Sequence, residues 1–155
     1  KGDAVFAWHQ DMGYWPNPKA LGVEETATCT FSLAIDDSEE ANGCLRYVPG
    51  SGLSKTLRKH APLASSRDEG HALPIEAKGD IVKLAPCKRG SITIHDEWVI
   101  HGSSGNKCPD RQRRTYVLAY RPKAVVEAER KLGFTHSHND TVNWDTFDDG
   151  EERKK

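Results

Sequence analysis

The chain has 155 residues, the size of one compact domain. Its 22 Lys and Arg against 23 Asp and Glu leave a formal charge of −1, so it lacks the cationic excess that holds a nucleic-acid backbone. No apolar run approaches the roughly 18 residues that span a bilayer, and no secretory apolar stretch opens the chain, so a soluble protein with neither a membrane nor a nucleic-acid partner is expected.

The chain starts at Lys1 and goes directly into the patterned segment Ala4–Trp8, a strand, so a preceding N-terminal portion is expected. Gly13 to Gly22, with Pro16, Asn17 and Pro18, reads as a loop. Thr26–Ile35 is rich in Thr and aliphatic residues with period two and predicts a second strand. Asp36–Gly43 is an acidic turn whose Asn42-Gly43 end is a hairpin signal, and Cys44–Val48 is the next strand. Ser54 to Gly70 is a polar and basic connection; its run Lys55, Arg58, Lys59, His60 reads as a solvated face.

Short strands follow at Leu73–Glu76, Ile81–Leu84 and Ser91–Ile94. Trp98–Ile100 leads to His101, and Arg114–Tyr120 is the last strand. Pro122 opens a helix with Val125, Val126, Ala128 and Leu132 on one side and Gly133 as its stop. Many short strands with one terminal helix predict an all-β antiparallel barrel or sandwich: a core over 1–121, then a helix and polar tail over 122–155. Cys29, Cys44, Cys87 and Cys108 lie far apart with no C-x-x-C pair, which favours free thiols in a reducing, intracellular compartment, the cytoplasm.

The chemistry begins at Trp8-His9-Gln10-Asp11. In a strand, residues i and i+2 share a face, so His9 and Asp11 can address one ion while Gln10 turns away. An imidazole and a carboxylate so placed are two of the three ligands of a 2-His-1-carboxylate facial triad, which binds Fe(II) and leaves three positions open. Alone, His-x-Asp is a weak signal. His101, at the end of an apolar strand and before the small residues Gly102 and Ser103, supplies the third ligand. Arg113 then heads the next strand, where a guanidinium can fork onto the distal carboxylate of a keto acid, with the Ser103 hydroxyl beside it. Adjacent Arg114 points to the opposite face and is the alternative anchor.

Further segments fall in order over residues 8–121: Tyr14-Trp15-Pro16, Asp36-Asp37, Asn42-Gly43-Cys44-Leu45, Val48-Pro49-Gly50-Ser51, Gly79-Asp80-Ile81, His101-Gly102-Ser103 with Asn106, and Arg113-Arg114. With the His-x-Asp motif they make the chain resemble the phytanoyl-CoA dioxygenase-like family of Fe(II)/2-oxoglutarate-dependent oxygenases. The resemblance implies a double-stranded β-helix (jelly roll, cupin-like) core and iron held by His9, Asp11 and His101. It also implies 2-oxoglutarate anchored by Arg113, with Gln10 and Ser103 as its neighbours. Where the family usually has a His after Pro-Gly-Ser, this chain has Gly52.

The expected activity is hydroxylation of a small organic substrate with O2 and 2-oxoglutarate, releasing succinate and CO2. Tyr14 and Trp15 are candidate walls of the substrate pocket. Two other readings remain. One is a cupin-like metal enzyme without 2-oxoglutarate, which Arg113 argues against; the other is a noncatalytic binding domain, which the full ligand set argues against. Phosphate-loop and Gly-x-Ser-x-Gly hydrolase motifs are missing. His95 is expected in a loop, because three ligands already complete the metal set. His60 and His71 are expected in solvated loops. His136 and His138, with Trp144, are expected in a polar segment folded over the barrel mouth.

Overall fold

The computed structural model describes residues 5–16, 21–23, 27–59, 75 and 77–134. Among them form β1 (Phe6–His9), β2 (Cys29–Ala34), β3 (Leu45–Tyr47), β4 (Lys83–Ala85), β5 (Ile92–Asp96), β6 (His101–Ser103), β7 (Thr115–Tyr120) and the helix α1 (Lys123–Lys131). The strands pair antiparallel into a four-stranded sheet of order β1-β6-β3-β4 and a three-stranded sheet of order β5-β2-β7. The chain passes back and forth between the two sheets, the winding of a double-stranded β-helix. The expected all-β jelly roll with a C-terminal helix is the fold.

The three-stranded sheet is polar on its inner side. On β2, Thr30, Ser32 and Ala34 are buried, while Cys29, Phe31 and Leu33 face outward. On β5 the buried residue is His95, flanked by exposed Ile94 and Asp96. Period two is obeyed, but with the polar residues inside. Burying hydroxyls and imidazoles is costly unless they find polar partners, so this face lines a site rather than a core. The apolar core sits elsewhere, where Val48, Ile75 and Ile100 pack together with Trp8 and Ala77 against them. Burial of each such aliphatic side chain contributes about 1.5–3 kcal/mol.

Several expectations are corrected. Asn42-Gly43 does not close a hairpin, because β2 and β3 lie in different sheets. A 3-10 turn (Glu40–Asn42) carries the chain across instead. Asn42 holds that turn by accepting from Glu39 N at 2.7 Å and donating to Asp37 O at 2.8 Å. Gly43 ends it at φ 83°, where a Cβ would collide with Ser104 O. β5 runs two residues past the predicted Ile94 and takes in His95. His101 begins its strand rather than ending one. On α1, Val125 is fully buried as expected, but so is Glu129, paired with the Arg121 guanidinium. Of the predicted strand Leu73–Glu76 only Ile75 is described; His60, His71, His136, His138 and Trp144 lie outside the described residues.

Candidate active site

His9 closes β1 and His101 opens β6, and the two residues are register partners in adjacent strands. Each ring is tethered the same way, two residues back: Nδ1 faces Ala7 O at 2.8 Å in His9 and Val99 O at 3.0 Å in His101. A carbonyl only accepts, so the proton sits on Nδ1 and Nε2 is left as the bare donor atom. Gln10 is extended (φ −116°, ψ 134°), so the alternation continues past the strand end into the 3-10 turn Asp11–Tyr14. Asp11 therefore returns to the side of His9. Its Oδ1 lies 3.5 Å from His9 Nε2 and 3.6 Å from His101 Nε2. One ligand atom from each of His9, Asp11 and His101 falls within 4.8 Å of the others.

Electrostatics suit a cation. Burial pushes the His101 pKa down to about 4, against the opposing pull of Asp11, so its ring is neutral and able to ligate at neutral pH. Burial alone would raise the Asp11 carboxyl, but its contacts with His9 and His95 and the field of His101 outweigh that and hold it well below the usual carboxylate range. Two imidazoles and one carboxylate gathered in this way form the donor set of a non-haem Fe(II) centre. The residues fit that metal.

The adjacent arginines part as alternation demands. Arg113 turns between the sheets, its Nη2 3.3 Å from Ser103 Oγ and its Nη1 3.4 Å from Thr115 Oγ1. It lines a small cavity with Ser32 and Thr93 of one sheet and Leu45 and Ala85 of the other. Burial lowers its pKa, yet a guanidinium stays charged at neutral pH. Arg114 forks onto Asp36 at the surface, through Nε to Oδ2 at 2.9 Å and Nη2 to Oδ1 at 2.8 Å.

The other candidates take diverse places. Gln10 is fully buried, and its amide clamps two loops: Nε2 donates to Trp98 O at 2.7 Å and Thr56 O at 3.0 Å, and Oε1 accepts from Arg58 N. Tyr14 stands edge-on to the His9 ring at 5.6 Å between centroids. Trp15 lies under the Arg121 guanidinium at 4.3 Å, on the side where that arginine meets α1. Gly52 is explained by its neighbour. A Cβ there would stand 2.9 Å from Asp96 Oδ1, and that oxygen accepts from Trp98 N and Val99 N. The expected loop residue His95 is instead a buried part of the site, its ring 4.1 Å from that of His101. The period-two run through Thr93 and His95 was the signal for it. Thr30, whose hydroxyl donates to Asp11 Oδ2 at 3.0 Å, was also missed.

A family model, phytanoyl-CoA dioxygenase (PhyH), matches residues 1–115. The chain belongs to the phytanoyl-CoA dioxygenase family. It is 29% identical over 133 residues to a 2-aminoethylphosphonate dioxygenase of an uncultured bacterium, a match covering 86% of this chain and 45% of that protein. It is 28% identical over 115 residues to the ectoine dioxygenase of Bordetella parapertussis, covering 67% and 37%. The chain thus spans less than half the length of these relatives. Among solved structures, EvdO2 of Micromonospora carbonacea superposes with a TM-score of 0.60 at 23% identity, over 77% of this chain and 46% of that one. Its complex with 2-oxoglutarate superposes with a TM-score of 0.54 at 21% identity. These two likenesses establish the jelly-roll fold.

Proposed function

We propose that this PhyH-family chain carries the iron and 2-oxoglutarate site of a dioxygenase that hydroxylates a small organic molecule, converting 2-oxoglutarate and O2 to succinate and CO2. The observation that carries this is the His9–Asp11–His101 cluster beside an inward arginine that no carboxylate among the described residues neutralises. Iron, when bound, supplies activation of O2 with the keto acid as co-reductant. His9 and His101 offer Nε2 and Asp11 offers Oδ1. Arg113 takes the distal carboxylate of 2-oxoglutarate in a two-pronged contact, with Ser103 Oγ beside it. Gln10 serves this site by closing the loops around it, and Tyr14, packed on His9, walls the substrate side. Trp15 is assigned to clasping Arg121 and α1, which joins the segment after 122 to the 1–121 core.

No helix among the described residues is long and apolar enough to cross a membrane. All four cysteines are free, which suits a reducing compartment such as the cytoplasm. The test is succinate release from 2-oxoglutarate under O2, with Fe(II) and a panel of small substrates. Succinate that depends on Fe(II) and on His101 supports the proposal. Succinate formed equally by His101→Ala, or none from any member of the panel, overturns it.

A further inference from the structure

Behind the three candidate ligands stands a further buried ring. His95 points inward from β5, is 8% exposed, and packs its ring 4.1 Å from that of His101. Its Nδ1 meets the Tyr47 hydroxyl at 3.1 Å. Its Nε2 makes no hydrogen bond, and stands 3.5 Å from Asp11 Oδ2. A buried ring nitrogen left without a partner is costly.

The geometry reads as a chain from one sheet to the other. Tyr47 belongs to β3 in the four-stranded sheet and His95 to β5 in the three-stranded one. A phenol carries its proton at neutral pH and can donate it to Nδ1. With the phenol as donor, Nδ1 accepts and the ring proton sits on Nε2, aimed at Asp11 Oδ2. The same oxygen accepts from Thr30 Oγ1 at 3.0 Å. The other oxygen, Oδ1, faces His9 and His101. The two carboxylate oxygens are thus divided, one toward the ligand cluster and one toward protein donors. His95 faces the far oxygen, which sets it behind the carboxylate rather than among the ligands.

We propose that His95, oriented by Tyr47, is a positioning residue that works with Thr30 to hold Asp11 so that it presents a single oxygen to the metal. At 3.5 Å the contact stands just beyond hydrogen-bond length, so a small shift of either side chain closes it. The inference rests on His9, Asp11 and His101 being the metal ligands. Residues that orient a ligand without touching the metal change its affinity by about 10–100-fold.

The test titrates Co(II) into the full chain, following its visible absorption, with the melting temperature of each metal-free variant measured alongside. His95→Ala is expected to weaken Co(II) by about 10–100-fold at an unchanged melting temperature. His95→Gln, whose amide can donate to Asp11, is expected to recover most of it, and Tyr47→Phe to fall between parent and His95→Ala. If the parent takes no Co(II), or His101→Ala takes it equally well, the metal reading itself fails. If the parent binds and His95→Ala binds equally, positioning by His95 is refuted while the metal site stands. Affinity and melting temperature falling together, with no rescue by Gln, would make His95 merely structural. Loss as complete in His95→Gln as in His95→Ala, at full stability, would make the ring itself a ligand and overturn the proposal.

Discussion

Arg113→Ala should cost 2-oxoglutarate affinity while leaving the metal in place. The Arg113 guanidinium is half-buried and, among the described residues, hydrogen-bonds to hydroxyls at 3.3 Å and 3.4 Å with no ion pair. It has lost much of its water and gained little in return, so an incoming carboxylate meets a charge ready for it. Losing a hydrogen-bonded charge pair of this kind costs about 2–5 kcal/mol, roughly 30-fold to several-thousand-fold in affinity. Arg113→Lys should recover only part, because an ammonium cannot make the fork. Arg114→Ala removes a surface pair with Asp36 and should change binding by less than about fivefold. Calorimetric titration of 2-oxoglutarate into the Mn(II)-loaded chain reads all three. Loss on Arg114→Ala in place of Arg113→Ala would move the anchor by one residue. No loss in either would refute the keto-acid pocket.

Other outcomes follow from buried charge and close contacts. His101 has a folded pKa of about 4 against 6.5 for the free side chain, so the unfolded chain takes up its proton first as pH falls. This stability is complete above pH 6.5 and lost by pH 4, about 3 kcal/mol in all, so urea titrations of metal-free protein should show the drop and His101→Gln should remove it; an equal drop in the variant contradicts the assignment. Arg121→Ala should destabilise by about 3–5 kcal/mol in chemical denaturation, because Glu129 stays buried when its cation goes. Replacing both by Met and Leu should recover most of that loss, and equal instability of single and double variants would count against it. Gly52→Ala should displace Asp96 from the backbone of Trp98 and Val99 at a cost of about 1–3 kcal/mol, and a neutral result would mean that the loop yields freely.

Much of this fold was legible because strand alternation is a local property. β2, β7 and α1 fall within the segments that carry the pattern, and His9 and Asp11 share a side because Gln10 between them is extended. What escaped is long-range. Asn42-Gly43 carries the same local turn chemistry whether the chain doubles back or crosses to another sheet, and here it crosses. The place of His95 depended on whether alternation stops at Ile94 or runs on to Asp96, which pairing with β2 decides. Trp15 and Glu129 are joined through Arg121, a contact between distant segments that no local pattern announces. The division between Arg113 and Arg114 was foreseeable from alternation, but not that Asp36 would hold the outward one.

The most direct test adds Fe(II) and then 2-oxoglutarate to the full chain without oxygen and watches for the weak visible charge-transfer band of a keto acid chelated to iron. The account predicts the band in the parent, saturating at one iron per chain, and its loss in His9→Ala, Asp11→Ala and His101→Ala. No band in the parent, or the same band in all three variants, would contradict it.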